Sequence, residues 1–162
     1  MKYQIHKAVV IGAGTMGASI AAHLANAGVP VTLLDIVPKD APENNKAARN
    51  KVVNAGWEAC LKAKPANLMS PDLKTFVKLG NLEDDFGAAA EADWIVEVIV
   101  ENLKIKQDLM ARLDEVRKPN AIVSTNTSGI PVHDIAEGRS KEFKKHFLGT
   151  HFFNPPRYLK LL

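Results

Sequence analysis

The sequence predicts an α/β fold in which a mainly parallel, doubly wound sheet is covered by helices on both faces. Short apolar, β-branched runs alternate along the chain with segments of helical periodicity, which is the order that a parallel sheet with crossover helices requires. The apolar runs are continuous, which indicates strands buried on both faces. We expect residues 1–162 to form one such domain, since this length is enough for one well-buried core.

Each element follows from these patterns in chain order. Strands are predicted at Ala8–Ile11, Val31–Leu34, Val77–Leu79, Trp94–Val100, Ala121–Thr125 and Phe147–Thr150. Helices are predicted at Thr15–Ala27, Asn44–Lys62, Phe86–Ala90, Leu103–Val116 and Val132–Ala136. The stretch between the second and third strands is long for a single crossover and is divided by prolines, so it predicts a helical hairpin beside the sheet. Trp57 in this hairpin is predicted to face the core.

The composition excludes several kinds of protein. No apolar run approaches the ~20 residues needed to cross a bilayer, and the amino terminus enters the first predicted strand without room for a signal peptide. We therefore expect a cytoplasmic protein with no membrane span. The single cysteine, Cys60, excludes an intrachain disulfide and a thiolate metal site, and no metal is expected. The net charge of +3 is small, and aromatic residues do not interleave the basic ones as base stacking requires, so nucleic acid is not an expected partner.

Basic residues are concentrated in and after the predicted hairpin. They are Lys46, Arg49, Lys51, Lys62 and Lys64. A solvated helix face is one interpretation of this stretch, since charge runs are commonly of that kind. A contact surface for the anionic tail of a ligand is the other, and the residues alone leave both open.

A glycine-rich turn joins the first predicted strand to the first helix. It reads Gly12-Ala13-Gly14-Thr15-Met16-Gly17. Gly12 permits the tight turn, Gly14 lets the backbone approach a pyrophosphate, and Gly17 lets the helix pack closely on the sheet. The helix N-terminus adds unpaired N–H groups and the positive end of the helix dipole. The second predicted strand leads into Asp35, about 20 residues further on, and this constellation indicates a Rossmann-type dinucleotide site.

Asp35 favours NAD over NADP. A carboxylate at this position accepts hydrogen bonds from the ribose hydroxyls and repels a 2′-phosphate. Ile36 offers no guanidinium in compensation, although Lys39 is close in sequence. We therefore predict NAD as the cofactor, with a ligand-free glycine turn as the alternative interpretation.

The carboxyl ends of the predicted strands locate the other candidate residues, because ligands of open parallel sheets bind beyond those ends. Glu101 and Asn102 follow the fourth predicted strand, the polar run 124–129 begins at the end of the fifth, and His151 follows the sixth. Helix capping accounts for one or two of the hydroxyls and amides in the polar run but not for the whole of it. We expect all of these residues to gather at one edge of the sheet.

His151 is the candidate general base. It alone among the histidines follows a predicted strand and precedes an Asn-Pro turn. Taken by itself, a histidine is more often structural than catalytic. Placed opposite a nicotinamide, an imidazole is suited to take the hydroxyl proton in an alcohol oxidation, because imidazole titrates near neutral pH.

A specific resemblance is carried by the segments GAGTMG, VEVIVENLKIKQDL, STNTSGI and GTHFFNPPRYLKLL. Together they resemble the NAD-binding domain of the 3-hydroxyacyl-CoA dehydrogenases of fatty-acid β-oxidation, especially the bacterial multifunctional type. The resemblance extends over essentially the whole chain. It implies NAD-dependent oxidation of (S)-3-hydroxyacyl-CoA to 3-oxoacyl-CoA, with Asp35 on the adenine ribose and His151 as the catalytic base.

The same resemblance implies roles for four further residues. Glu101 and Lys106 would lie near the nicotinamide side of the cofactor. Ser128 and Asn154 would hydrogen-bond the reacting oxygen or the nicotinamide ribose, which makes them both catalytic and cofactor-binding candidates. The basic stretch would correspond to the region that holds the CoA phosphates, without assignment of individual lysines.

The family pairs its catalytic histidine with a glutamate further along the chain, in the pattern K-L-x-E. The sequence ends at Leu162, before that glutamate. We therefore expect residues 1–162 to be a truncated, inactive piece that lacks a C-terminal helical domain. In the family that domain closes over the acyl-CoA substrate and supplies the contacts of a homodimer.

Two alternatives remain open from the sequence. One keeps the fold and changes the substrate, giving a hydroxybutyryl-CoA or sugar-acid dehydrogenase of the same superfamily. The other is a non-catalytic module that binds NAD without reacting.

Overall fold

The computed structural model describes residues 4–159. Its strands are β1 (Ala8–Ile11), β2 (Val31–Asp35), β3 (Val77–Asn81), β4 (Trp94–Glu97), β5 (Ile122–Thr125) and β6 (Phe147–Gly149). Within the described residues they form one six-stranded sheet in the order β3-β2-β1-β4-β5-β6, and every neighbouring pair is parallel. The predicted doubly wound sheet is therefore confirmed.

Helices connect these strands. They are α1 (Thr15–Asn26), α2 (Lys46–Arg49), α3 (Lys51–Lys62), α4 (Leu103–Val116), α5 (Val132–Ile135) and α6 (Lys141–Lys145). Two short 3₁₀ segments lie at Pro71–Phe76 and Phe86–Ala90, the second where a helix was predicted. The sequence pattern did not predict α6, because five residues are too few to show helical periodicity. Its N-cap is recognisable, since the Ser140 hydroxyl accepts the Phe143 N–H at 3.0 Å.

Strand β1 is buried from end to end and separates two apolar cores. Ala8 and Val10 belong to the core beneath α1 and α3, whereas Val9 and Ile11 belong to the core beneath α4. This alternation is the two-residue period of a strand with both faces covered. Trp57 is 6% exposed and lies in the first core, as predicted.

The excursion after β2 departs from the single predicted helix over Asn44–Lys62. The helix is interrupted at Asn50, which ends α2 and begins α3. Asn50 is buried, and its side-chain oxygen accepts an N–H from the Asn81 amide at 2.7 Å. Arg49, the last residue of α2, pairs with Asp84 at 2.7 Å. These contacts tie the break in the helix to the end of β3, which a local sequence pattern does not reveal.

Strand β4 is shorter than the predicted Trp94–Val100, because it ends at Glu97. The Val98 N–H still donates to the Ile11 carbonyl at 2.8 Å. The next N–H, of Ile99, donates to the Glu97 side chain at 2.8 Å instead of to a neighbouring strand. The Glu97 side chain thus binds this N–H in place of a neighbouring strand, and the backbone leaves the sheet at that point.

The residues that follow four of the strands are joined across the carboxyl edge of the sheet. In each case a backbone N–H just beyond one strand donates to a carbonyl at the end of its neighbour, at 2.8 or 2.9 Å. The pairs are Gly12 with Leu34, Val98 with Ile11, Asn126 with Glu97, and Thr150 with Thr125. The strand order reverses between β2 and β4 on either side of β1, so this edge is also the topological switch point.

Candidate functional site

The glycine turn after β1 is held by contacts that exclude side chains at two of its positions. Gly12 has a φ of +105°, and a Cβ there would clash with the Val98 carbonyl beyond β4. A Cβ at Gly17 would clash with the Gly12 carbonyl. These two glycines therefore let α1 lie directly against the turn and the sheet.

Gly14 is different, because a Cβ built on it meets no atom within 4 Å in the described part of the chain. It is exposed and forms the N-cap of α1, and no side chain of residues 4–159 caps that helix. The first N–H groups of α1 therefore face open space together with the positive end of the helix dipole. Thr15 is exposed and Met16 partly buried beside this opening. The turn fits a pyrophosphate, which the backbone of Gly14 leaves room for.

Asp35 completes the glycine turn. Its Oδ2 accepts the Ala13 N–H at 2.6 Å and its Oδ1 accepts the Ile36 N–H at 2.6 Å. Each carboxylate oxygen has more than one acceptor site, so a half-exposed Asp35 can hold the loop and accept ribose hydroxyls as well.

Gly56 of α3 is a further contact of this turn that the sequence did not predict. A Cβ on Gly56 would clash with the Ala13 carbonyl. Helix α3 therefore lies directly against the glycine turn at Ala13. A glycine inside an otherwise regular helical pattern was the available signal, because it costs helix stability unless close packing needs it.

Glu101 links the loop after β4 to the turn after β5. Its Oε1 accepts the Ser128 N–H at 2.7 Å, and its two oxygens lie 3.0 and 2.8 Å from the Thr127 hydroxyl. Partial burial raises the pKa of the Glu101 carboxyl, but these donors and Lys106 outweigh it and hold that pKa below its usual range. Glu101 is therefore kept ionised, and the exposed Ser128 is placed by its backbone.

Lys106 lies beneath this edge, with its side chain 1% exposed. Its Nζ is 2.6 Å from Glu97 Oε1 and 3.5 Å from Glu101 Oε2. The buried ammonium of Lys106, predicted to lie near the nicotinamide side of the cofactor, thus contacts two protein carboxylates. Glu97 was not among the predicted site residues, although an acid that ends an apolar run is a recognisable signal.

His151 follows β6 at the same edge and is partly buried. Its Nδ1 lies 3.2 Å from the Thr127 carbonyl oxygen, a geometry in which Nδ1–H donates and Nε2 is left as an acceptor. The Phe152 N–H donates to Asn126 Oδ1 at 2.8 Å, which fastens the histidine segment to the end of β5. Asn154 follows on the same segment and is exposed. The structure therefore brings His151 and the Thr127–Ser128 turn together, as expected for residues that follow the carboxyl ends of parallel strands.

Other titratable groups lie elsewhere. His23 is partly buried on α1 near Phe152, and burial lowers its pKa. Cys60 is buried, which raises the pKa of its thiol.

In the range 4–159, no group of three or more His, Cys, Asp or Glu residues could hold a metal ion. No helix in that range is long and apolar enough to span a membrane. A groove of about 740 Å³ lies beside the amino ends of β1 and β2 and contains none of the predicted site residues.

The parallel sheet presents a glycine turn and an acid on one side of its switch point and an imidazole on the other. This arrangement is typical of the class of nicotinamide-dependent oxidoreductase domains. Within that class, the family described as "3-hydroxyacyl-CoA dehydrogenase, NAD binding domain" matches residues 7–162. The chain belongs to this family, and NAD is the cofactor of its domain.

Individual relatives agree with this assignment. The chain is 52% identical to a probable 3-hydroxyacyl-CoA dehydrogenase of Bacillus subtilis, over 100% of this chain and 22% of the relative. It is 42% identical to a putative fatty acid oxidation complex trifunctional enzyme of Rickettsia felis, again over 100% and 22% of the two lengths. The crystal structure of 3-hydroxybutyryl-CoA dehydrogenase from Escherichia coli superposes with a TM-score of 0.76 at 28% identity, covering 97% of this chain and 31% of the other. The chain thus spans less than a third of each.

Proposed function

We propose that this chain forms the cofactor-binding half of an enzyme that oxidises (S)-3-hydroxyacyl-CoA to 3-oxoacyl-CoA with NAD. The observation that carries the proposal is the position of His151. Its Nδ1 is directed at the Thr127 carbonyl oxygen, at the same edge as the glycine turn and Asp35. A base in that place is of no use to a protein that merely binds NAD.

The residues of the first half of the sheet would hold the cofactor. The N–H groups at the start of α1 and the open space at Gly14 suit the pyrophosphate, and Asp35 suits the adenine ribose. Glu101 and Ser128, across the switch point, would hold the nicotinamide half of the dinucleotide. When bound there, NAD supplies the acceptor for a hydride.

In the proposed reaction, His151 Nε2 takes the proton of the substrate hydroxyl while the carbinol C–H bond breaks and the hydride leaves with both electrons. The O–H electron pair becomes the second bond of the carbonyl, so atoms and charge balance. Ser128 and Asn154 are both exposed, the first on the turn that contacts His151 and the second three residues after it, and would donate hydrogen bonds to the reacting oxygen. General base catalysis of this kind contributes roughly 10²–10⁴-fold to a rate.

An acyl-CoA substrate and a place in fatty-acid oxidation are supported by the names of the relatives, which include a fatty acid oxidation complex enzyme. The exposed lysines Lys46 of α2 and Lys51 and Lys62 of α3 offer an anionic ligand basic groups on the excursion whose Gly56 contacts the glycine turn. The structural neighbour named 3-hydroxybutyryl-CoA dehydrogenase supports a short-chain substrate as the second candidate.

We further propose that turnover requires residues beyond this chain, which would cover the acyl group, orient His151 with a glutamate and form a homodimer. The proposal also includes a cytoplasmic location. The much greater length of the relatives supports the further domain.

NADH titration and an activity assay test the proposal. The 162-residue chain is expected to bind NADH, with weaker binding of NADPH, and to show negligible reduction of acetoacetyl-CoA. The chain extended by the following residues of its Bacillus subtilis relative is expected to reduce that substrate. Absence of NADH binding, or full turnover by residues 1–162 alone, would contradict the proposal.

A further inference from the structure

Glu97 and Lys106 form an ion pair closed to solvent directly beneath the candidate site. Their side chains are 0% and 1% exposed, and Glu97 Oε1 lies 2.6 Å from Lys106 Nζ. Burying two charges is costly unless both are paired and hydrogen-bonded, and an apolar pair of similar size is often at least as stable. Stability therefore gives little reason for the pair, and the proposed reaction does not use Glu97 as an acid or base.

The contacts of Glu97 join three elements. Besides Lys106 of α4, Oε1 accepts the Ile99 N–H at 2.8 Å and so shapes the exit of β4. Oε2 accepts the Thr125 hydroxyl of β5 at 2.6 Å. The carboxylate is thus fully hydrogen-bonded by groups from β4, α4 and β5.

Both oxygens of Glu97 lead to the turn that carries Ser128. On one side, Lys106 lies 3.5 Å from Glu101, which binds the Ser128 N–H. On the other side, Thr125 Oγ1 accepts the Thr127 N–H at 3.3 Å. The Thr127 carbonyl in turn contacts His151 Nδ1. Among the side-chain hydrogen bonds of residues 4–159, no such route leads from Glu97 to Asp35.

We propose that Glu97 is a positioning residue for the nicotinamide half of the site, acting through Lys106 and Thr125 on Glu101 and the Thr127–Ser128 turn. This inference rests on the proposed function. Glu97 itself touches no ligand, because its side chain is wholly buried. Its loss should affect the nicotinamide half of the cofactor and spare the adenosine half, which lies across the switch point.

Two ligands distinguish the contributions of these two halves of the site to binding. NADH occupies the whole site, whereas ADP carries the adenosine and pyrophosphate but neither the second ribose nor the nicotinamide. In the 162-residue chain, Glu97→Gln is expected to raise the Kd for NADH about tenfold, the factor expected from one charge-assisted hydrogen bond. The Kd for ADP is expected to change less than about twofold. The matched control is Asp93→Asn, which removes a carboxylate paired with Lys118 at the amino edge of the same sheet and should leave the ratio of the two Kd values unchanged.

Further variants keep the test decisive if Glu97→Gln unfolds the chain, since removing one partner of a buried pair is strongly destabilising. The double variant Glu97→Met with Lys106→Met removes both charges while keeping the volume. It should weaken the binding of NADH and leave the binding of ADP unchanged. Thr125→Val removes one hydroxyl and should weaken NADH binding to a smaller extent, whereas Thr125→Ser keeps the hydroxyl and should bind NADH like the wild-type chain.

Equal loss of NADH and ADP binding in the folded double variant would overturn the inference, because it would indicate a purely structural role. Unchanged NADH binding in that variant would overturn it as well. Failure of the wild-type chain to bind NADH is a separate result, which contradicts the proposed function itself.

Discussion

The carboxylate of Asp35 accepts the backbone N–H of Ala13 at 2.6 Å, so the acid at the end of β2 is part of the glycine turn itself. The same carboxylate accepts the Ile36 N–H through its other oxygen. The acid proposed to bind a ribose therefore also holds the backbone proposed to face the pyrophosphate. The two features that first indicate a dinucleotide site, one on each side of α1, are a single hydrogen-bonded unit in the folded chain.

Removing this carboxylate should weaken cofactor binding. Asp35→Ala is expected to raise the Kd for NADH at least about tenfold, because a hydrogen bond to a charged group is lost on both the ribose and the loop. Discrimination against NADPH should relax, since the negative charge that repels a 2′-phosphate is gone. Fluorescence titration with both nucleotides measures the change. Asp40→Asn, an exposed acid in the following loop, is the control, and unchanged NADH affinity in Asp35→Ala would place the ribose elsewhere.

Substitutions at two glycines of the turn should distinguish an effect on NADH binding from an effect on folding. Gly14→Ala adds a methyl group in open space and is expected to leave the melting temperature nearly unchanged while weakening the binding of NADH. Gly17→Ala forces a methyl into the Gly12 carbonyl and is expected to lose about 1–3 kcal/mol of unfolding free energy. Urea denaturation and NADH titration distinguish the two effects. Gly87→Ala, also in open space but far from the turn, should alter neither, and normal NADH binding by Gly14→Ala would argue against the pyrophosphate position.

His151 should matter for chemistry and little for cofactor affinity. In the extended chain, His151→Ala is expected to lower kcat by roughly 10²–10⁴-fold through loss of the general base. In the 162-residue chain, the same variant should bind NADH close to normally, because the glycine turn and Asp35 are untouched. His133→Ala provides the control, since its side chain is 85% exposed on α5. A His151 variant that kept full kcat would exclude the residue as the base.

The Arg49–Asp84 contact predicts a pH dependence of stability. Hydrogen bonds from Arg49 and then Asn81 lower the pKa of Asp84 from 3.8 to about 2. Between these values the unfolded chain binds more protons at this residue than the folded chain, so the stabilisation is present above pH 3.8 and is lost as the pH falls towards 2.

Asp84→Asn should therefore be less stable than the wild-type chain at neutral pH, and the difference should shrink between pH 4 and pH 2. Urea denaturation across that range measures it. Asp108→Asn removes an acid from an exposed pair with Lys104 and should show a smaller effect. A difference between wild type and Asp84→Asn that did not depend on pH would mean that the ion pair does not stabilise the fold.

Local patterns predicted most of the sheet and the cofactor edge. The apolar runs located all six strands, and the helix over Leu103–Val116 was predicted at its observed ends. Two of the errors come from side-chain hydrogen bonds. The helix breaks at Asn50, whose side chain bonds to Asn81 of β3, and β4 ends early because the Glu97 side chain binds the Ile99 N–H; such contacts leave no periodic pattern in the sequence.

The sequence by itself determined the positions of the strands, the glycine turn with its acid, and the family, because each depends on residue type at a fixed local spacing. Only the tertiary structure decided how those residues are supported. Gly56 faces the glycine turn from a helix distant in sequence, and the Glu97–Lys106 pair lies beneath Glu101. These partners meet because parallel strands and their crossover helices bring distant segments to one edge, where burial makes each polar group find a hydrogen-bond partner.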